Sequence, residues 1–405
     1  FSLGSGAPAY TIHRRIYREK AFAGVDGQFS LNDNLYTDTL FMVDEASMIA
    51  NMGLGGTTFG SGCLLDDLVK FVYQGHNDRL LLIGDKAQLP PVGEEESPAL
   101  SASVMEGYGL KVYECDLNEV LRQSQSSGIL YNATLIRQMI THDAVTGLPL
   151  IRFKGFADIV MMPGAELVES LGDSYHHVGM DETMVITRSN KRANIYNNGI
   201  RNMVLDREEE LSSGDMLMIV KNNYFWTEKE KKESGEGSAG AVPAFLANGD
   251  RAKVLRVSNY IELYGFRFAT LLLQLPDYDD YEMQVTGMLD TLQSEAPALT
   301  HEQQEELFRQ VEEDYQHFVP LKADRMKSIR QDAYFNALQI KYAYAVTCHK
   351  AQGGQWAHVY VDQGYMTDDM LTPDYIHWLY TAFTRATDKL FLVNWPKEQT
   401  CEPTD

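Results

Sequence analysis

The chain has 405 residues, 44% of them hydrophobic and 23% charged, a composition typical of a globular protein with roughly two or three domains. Its net charge of −22 excludes a protein that coats nucleic acid nonspecifically, because phosphate binding needs a basic face. A narrow basic channel within an acidic surface is still compatible with that charge. No apolar run approaches the ~20 residues of a bilayer span, so we expect no membrane segment. The four cysteines form no CxxC pair, which favours a reducing, cytoplasmic setting over a disulfide framework or a zinc site.

The first forty residues carry one candidate phosphate contact and one candidate hairpin. A helix is predicted to begin at Thr11. Thr11 and His13 are placed to touch a phosphate, and an ordinary helix start explains them equally well. Residues 24–38 are rich in Gly, Asn and Asp and predict a small hairpin around residues 32–34.

Polar side chains follow two short apolar strands that are predicted at residues 40–43 and 80–83. Asp44 and Glu45 come directly after the first strand, and Asp85, Gln88 and Pro90 follow the second. A carboxylate pair at a strand end suits a hydrated Mg²⁺ ion. One acid orders the metal's waters, and the other can accept a proton from an attacking water.

The middle of the chain predicts α/β structure followed by a β-rich insert. A strand is predicted at residues 111–115, a helix at 129–141 and a strand at 184–187. From Gly214 onward, short strands separated by turns such as Asn248-Gly249 predict a compact antiparallel barrel over residues 216–275. A Lys/Glu/Gly/Ser-rich loop is predicted at residues 227–240. Thr300 begins a predicted capping box and an amphipathic helix.

The most informative stretch lies near the end of the chain. The apolar run at residues 340–346 predicts one buried strand of α/β type, which ends in the donors Thr347, His349, Lys350 and Gln352. The glycines at 353 and 354 then allow a tight turn or a close approach to a ligand. Donors at the carboxyl end of a parallel strand lie where open α/β sheets bind ligands. A strand at residues 359–362, a helix at 375–385 and a strand at 390–393 are predicted to follow.

Five clusters of residues, in their order along the chain, resemble the motifs of the superfamily 1B DNA helicases, in particular the RecD-like and Dda-like branch. Asp44-Glu45-Ala46-Ser47 resembles the Walker B motif, and residues 84–92 resemble the motif that senses nucleotide. Residues 117–123 resemble the motif with a phosphate-contacting arginine, here Arg122. Residues 347–353 resemble the motif that touches the DNA backbone, and Tyr380–Ala386 resembles the arginine-finger motif, with Arg385 as the finger.

This resemblance implies an α/β fold class with two RecA-like P-loop NTPase domains, ATP in the cleft between them and single-stranded DNA across their tops. The first domain, truncated, is expected at residues 1–110, with residues 24–38 as a small hairpin insert. The second is expected at residues 111–213 and 334–405. An SH3-like β-barrel insert with an acidic helix is expected at residues 214–333, between the two segments of the second domain.

The resemblance also implies a role for each candidate residue. Asp44 would hold Mg²⁺ through water, Glu45 would be the general base, and Gln88 would sense the γ-phosphate. Arg122 and Arg385 would stabilise charge during phosphoryl transfer, for which the planar, always charged guanidinium is suited. Asp85 and Gln355 are assigned to the nucleotide site. The implied DNA contacts are Thr11, His13, Pro90, Thr347 and His349.

Two departures from the family pattern affect the expected activity. Gln355 stands where the family usually has Glu, and the sequence contains no GxxxxGK[ST] loop, whose amides and lysine grip the phosphates. With Phe1 as first residue, we expect a fragment that starts downstream of that loop, exposes apolar surface on its first domain, and by itself binds and hydrolyses ATP poorly. A GKT or GKS upstream of Phe1 would favour a motor, and none would favour a non-catalytic nucleic-acid-binding or interaction module that keeps the scaffold.

The resemblance implies that the complete protein is an ATP-dependent DNA helicase that moves 5′ to 3′ on single strands. Its expected cofactors are ATP and Mg²⁺. Single-stranded DNA is the expected partner, recombination or repair proteins are compatible further partners, and a cytoplasmic monomer is expected.

Overall fold

The computed structural model describes residues 10–21, 28–53, 59–117, 127–141, 147–234, 242–243 and 245–401. Its strands are, in chain order, β1 Tyr17–Ala21, β2 Gln28–Leu31, β3 Leu40–Val43, β4 Arg79–Leu82, β5 Ile159–Met162, β6 Thr183–Thr187, β7 Met216–Ile219, β8 Arg251–Leu263, β9 Phe266–Leu275, β10 Tyr281–Met288, β11 Leu338–Tyr342, β12 Ala345–Thr347, β13 Trp356–Asp362 and β14 Ala386–Val393. Its helices are α1 Ile12–Ile16, α2 Leu64–Gln74, α3 Ala102–Glu106, α4 Gly128–Thr141, α5 Leu167–His177, α6 Asn190–Gly199, α7 Phe225–Ser234, α8 His301–Gln316, α9 Lys322–Arg330, α10 Cys348–Ala351 and α11 Pro373–Phe383.

By its internal contacts the chain divides into two compact units. Unit 1 consists of Phe1–Ser124, Leu135–Thr146 and Leu371–Thr381. Unit 2 consists of Gln125–Thr134, Gly147–Met370 and Ala382–Asp405. Three segments of the predicted second domain, residues 111–124, 135–146 and 371–381, therefore belong to unit 1. No helix in the described part of the chain is both long and apolar enough to cross a membrane.

Unit 1 is built on helix α2 and the parallel pair β3–β4. The apolar stripe of α2 is buried because Leu65, Leu68, Phe71 and Val72 recur at helical spacing and lie against the core. The other face of the β3–β4 pair carries exposed apolar side chains, namely Leu40, Met42 and Leu81, which are 41–55% exposed.

The hairpin predicted at residues 24–38 lies earlier in the chain. Strands β1 and β2 pair antiparallel, with Tyr17 opposite Leu31, and residues 22–27 between them lie outside the described part. The prediction of a hairpin around Asn32–Asn34 was wrong, because these residues follow β2 instead of lying between the paired strands. The Asn34 side chain donates to the Val72 carbonyl at 3.0 Å and to Asp78 at 2.9 Å. The strand predicted at residues 111–115 was also wrong. Val112 packs on the core but Tyr113 is 80% exposed, and the segment is irregular.

Unit 2 contains a five-stranded parallel sheet of order β12-β6-β13-β14-β5 and a closed barrel of order β10-β11-β7-β8-β9. The predicted barrel is present, but it extends beyond residue 275 and is not wholly antiparallel, because β10 pairs parallel with β11. Strand β10 was not predicted. Part of the predicted loop at 227–240 is helix α7, which ends at Ser234. The capping box of Thr300 and Gln303 is confirmed at the start of α8.

The apolar run at residues 340–346 is two strands rather than one. Strand β11 pairs with β7 in the barrel, and β12 pairs with β6 in the parallel sheet. The chain passes from one sheet to the other at Ala343 and Tyr344. The Ala343 N–H donates to Met216 of the barrel at 2.9 Å, and the Tyr344 carbonyl accepts from Val185 of the parallel sheet at 3.0 Å. Every residue of the run is buried on both sides of this crossing, so its apolar character could not reveal the break.

Candidate functional site

The parallel register of β3 and β4 brings two of the predicted strand-end clusters together. Val43 lies opposite Leu82, and the Ala46 N–H donates to the Ile83 carbonyl at 2.9 Å. A Cβ on Gly84 would lie only 3.0 Å from the Ser47 nitrogen and 3.2 Å from that of Ala46. Glycine at 84 therefore lets the turn after β4 approach the turn that carries Asp44 and Glu45.

Asp44 and Glu45 occupy a constrained turn at this edge. Asp44 is exposed, and its Oδ1 accepts the backbone N–H of Glu45 at 2.9 Å. Glu45 has φ 51° and ψ 40°, a left-handed conformation that is uncommon for a residue with a Cβ. Such conformations cost about 1–3 kcal/mol and tend to occur at functional sites. No three His, Cys, Asp or Glu side chains in the described part are grouped so as to hold a metal. A Mg²⁺ ion that keeps most of its waters can be held by a single exposed carboxylate, and Asp44 is a residue of that kind.

Asp85 is the centre of a hydrogen-bonded network in unit 1. Its Oδ2 accepts the Tyr380 hydroxyl at 2.7 Å and lies 3.5 Å from Nη1 of Arg137, while Oδ1 accepts the Ala87 N–H at 3.0 Å. Burial, together with the Asp85 charge, raises the pKa of Tyr380, so the phenol stays protonated and donates. Burial alone would lower the pKa of Arg137, but Asp85 and Tyr380 outweigh it and the net pKa is raised.

Helix α11 holds the rest of the segment that follows β4. Nδ1 of His377 lies 2.9 Å from the Ala87 carbonyl oxygen and 3.1 Å from that of Gln88. The Leu89 N–H donates to Oγ1 of Thr381 at 2.9 Å. His377, Tyr380 and Thr381 lie three and four residues apart, so they share one face of α11. We call these three residues and the segment Asp85–Leu89 the clamp.

The clamp fixes the position of Gln88 while leaving part of its amide unsatisfied. Its Oε1 atom is buried and has no hydrogen-bond partner among the described residues. Buried polar atoms are nearly always satisfied, so an exception needs an explanation, such as a role in binding. Pro90, the next predicted contact, is buried. Arg137 and His377 were not predicted as site residues, and Tyr380 and Thr381 were predicted only as part of a motif. For His377, Tyr380 and Thr381, the available signal was their spacing on one helix face.

We expect loss of the Thr381 hydroxyl to loosen the clamp. Thr381→Val leaves the buried Leu89 N–H without that acceptor, so its amide should exchange with deuterium roughly tenfold faster or more. Hydrogen–deuterium exchange of a peptide spanning residues 85–91 measures this. Thr381→Ser keeps the acceptor and should exchange like the wild type. If the amides of residues 85–91 exchanged equally slowly in the valine and serine variants, the proposed role of the Thr381 hydroxyl in the clamp would be contradicted.

In unit 2 the loop after β12 is joined to Arg385. Thr347 is half-buried and lies opposite Thr187 of β6, and His349, two residues later, is exposed. Arg385 is 5% exposed, and its Nη1 donates to the Gly354 carbonyl at 3.0 Å. Gln355, the next residue, is exposed. The structure thus brings Arg385 together with the loop that carries Thr347 and His349.

Lys350 of the same loop reaches the barrel. Its Nζ donates to Oδ1 of Asn248, in the predicted Asn-Gly turn. Burial lowers the pKa of Lys350 to about 8. A hydrogen bond therefore links the loop of the parallel sheet to a barrel turn within unit 2.

The remaining candidates stand apart from these groups. Oγ1 of Thr11 accepts the Arg14 N–H at 3.4 Å and caps helix α1. His13 packs against Phe59 and Tyr17, with ring centroids 5.1 and 5.7 Å apart, and burial lowers its pKa. These contacts favour the ordinary helix start for both residues. Arg122 lies outside the described residues.

One stretch of the chain matches a family model. Residues 342–393 match the model of the UvrD-like helicase C-terminal domain. These 52 residues include the loop after β12, helix α11 and Arg385, and they support the predicted resemblance to superfamily 1 helicases. The RecD-like and Dda-like branch stays a prediction.

Relatives with wider coverage are distant. An uncharacterized protein, R530, of Acanthamoeba polyphaga mimivirus is 22% identical, over 87% of this chain and 74% of its own length. Among solved structures, the Pif1 helicase of Candida albicans is 15% identical with a TM-score of 0.37, covering 90% of this chain and 74% of that one. The Bacteroides Pif1 helicase in complex with ADP-AlF3 and ssDNA is 12% identical with a TM-score of 0.44, covering 90% and 72%.

Proposed function

We propose that this chain provides the hydrolytic and DNA-contacting residues of an ATP-dependent superfamily 1B DNA helicase. The observation that carries the proposal is the meeting of Asp44 and Glu45 with the clamped segment Asp85–Leu89 at the carboxyl ends of two parallel strands. Open α/β sheets bind ligands at such ends. The match of residues 342–393 to a helicase domain gives independent support.

Each residue has a proposed task in ATP hydrolysis. Mg²⁺, when bound, neutralises charge on the phosphates, and Asp44 would hold it through water. Glu45 would accept the proton of the attacking water. Gln88 would sense the γ-phosphate through its Nε2 donor, and its unsatisfied Oε1 could accept a hydrogen bond from that water. Arg385 and Arg122 would stabilise the charge that develops during transfer. Asp85 and Gln355 would support the nucleotide site.

The DNA side of the proposal rests on the loop after β12. Thr347 and His349 present a hydroxyl and an imidazole at a strand end, groups that commonly hold a phosphate oxygen. Pro90, Thr11 and His13 are weaker candidates, because Pro90 is buried and the other two have structural contacts of their own. Movement from 5′ to 3′ comes from the resemblance alone.

The second candidate function is a non-catalytic module that binds single-stranded DNA without turning over nucleotide. The two candidates differ in whether a GxxxxGK[ST] loop, which these 405 residues do not contain, lies upstream of Phe1. The test compares ATP hydrolysis with and without single-stranded DNA, in a form of the protein that carries such a loop. The helicase proposal expects DNA to stimulate phosphate release. DNA binding without any turnover of ATP would instead establish the module.

A further inference from the structure

Unit 1 carries a small basic segment on an otherwise acidic protein. Residues 13–20 hold four cations, Arg14, Arg15, Arg18 and Lys20, and a single anion, Glu19, in a chain whose net charge is −22. Arg18 lies 3.3 Å from Asp33 in an exposed ion pair. Arg15 forms no ion pair with the acidic side chains of the described residues.

Arg15 lies between two exposed aromatic rings. Its guanidinium carbon is 4.7 Å from the ring centroid of Tyr10 and 4.6 Å from that of Tyr36. The rings are 48% and 37% exposed, respectively. Exposed aromatic rings and guanidinium planes are groups on which a planar ligand can stack. We call Tyr10, Arg15 and Tyr36 the aromatic stack.

The stack is held in place by the core of unit 1. Tyr36 packs edge-on against Phe41, at a centroid distance of 5.7 Å, and Phe41 packs edge-on against Phe71 of α2 at 5.9 Å. The Tyr36 N–H donates to Asn34 Oδ1 at 2.9 Å, and Asn34 is itself bonded to Val72. Arg15 belongs to α1, whose start is capped by Thr11. A surface held this rigidly loses little entropy when a ligand stacks on it.

We propose that the aromatic stack is a platform for the bases of single-stranded nucleic acid. Every base has a flat face that stacks on tyrosine or on a guanidinium plane, and the neighbouring arginines attract the phosphates. Duplex DNA hides its base faces, so the platform selects single strands. This inference rests on the proposed function, since it assigns a new contact to the same DNA.

The experiment measures binding of a fluorescently labelled oligothymidylate by anisotropy, beside an abasic strand that has the same phosphates and no bases. Tyr10→Ala and Tyr36→Ala should each weaken binding of oligothymidylate roughly tenfold. Both should leave the weaker binding of the abasic strand nearly unchanged. Tyr10→Phe and Tyr36→Phe keep the ring and should bind like the wild type. Tyr73→Ala removes a tyrosine of similar exposure, 43%, from the end of α2 and is the matched control.

The outcomes separate the platform from the wider proposal. If the wild type binds oligothymidylate and both alanine variants bind it equally well, the platform is overturned while the helicase proposal stands. Equal losses on the abasic strand would also overturn it, because the rings would then act by supporting Arg15 rather than by stacking. If the wild type binds no single-stranded DNA at all, the platform and the proposed function both fail.

Discussion

Replacing Glu45 by glutamine should lower DNA-stimulated ATP hydrolysis roughly a hundredfold or more and leave binding of single-stranded DNA nearly intact. The amide keeps the size of the side chain but cannot accept the proton of the attacking water. The change leaves in place two hydrogen bonds of the turn, from the Glu45 N–H to Asp44 Oδ1 and from the Ala46 N–H to the Ile83 carbonyl. Phosphate release under saturating Mg²⁺-ATP and DNA, in a form of the protein that hydrolyses ATP, gives the rate.

A matched control separates this role from a general loss of charge. Glu106→Gln, at the exposed end of α3, removes a carboxylate from the same unit and should hydrolyse ATP like the wild type. Arg385→Ala should also abolish most hydrolysis, although it removes the bond to Gly354 as well. Near-normal turnover of the Glu45 variant would refute its assignment as general base.

Replacing Asp215 by alanine should lower the free energy of unfolding by about 3–5 kcal/mol. Asp215 is fully buried and accepts from Arg201 at 3.1 Å, from Arg207 at 2.7 Å and from the Tyr344 hydroxyl at 2.8 Å. Burial lowers the pKa of Arg201, but Asp215 outweighs that and the net pKa is raised. Without the carboxylate, a guanidinium that is 3% exposed would remain charged and unneutralised in the interior.

Urea unfolding followed by circular dichroism measures the change. Asp277→Ala is the control, because it breaks an ion pair with Arg251 at 3.3 Å in which the aspartate is about half-exposed. Such pairs contribute about 1 kcal/mol or less. If the Asp215 variant lost no more stability than this control, the buried cluster would not support unit 2 as we describe.

The strand-end clusters could be predicted because their signals are local. A short apolar run followed by Asp44 and Glu45, or by Asp85, indicates where a strand ends, and parallel pairing then places such ends at one edge. The capping box of Thr300 is equally local, since its partner is three residues away. The turns at Asn248 and the short strands around it likewise predicted a barrel.

The contacts that complete the site could not be predicted in this way. Leu89 and Thr381 are 292 residues apart in sequence, and no local pattern pairs them. The apolar run at 340–346 is buried in both sheets, so periodicity could not show that it changes sheet at Ala343. The cluster around Asp215 was missed because its acidic and basic members look like ordinary surface charges in the sequence.

ATP-dependent strand separation tests the central claim most directly. The substrates are two partial duplexes of the same sequence, one with a 5′ single-stranded tail and one with a 3′ tail. With a form of the protein that hydrolyses ATP, we expect release of the labelled strand from the 5′-tailed duplex only, and only with Mg²⁺-ATP. Hydrolysis and DNA binding without strand release from either duplex would contradict the helicase account.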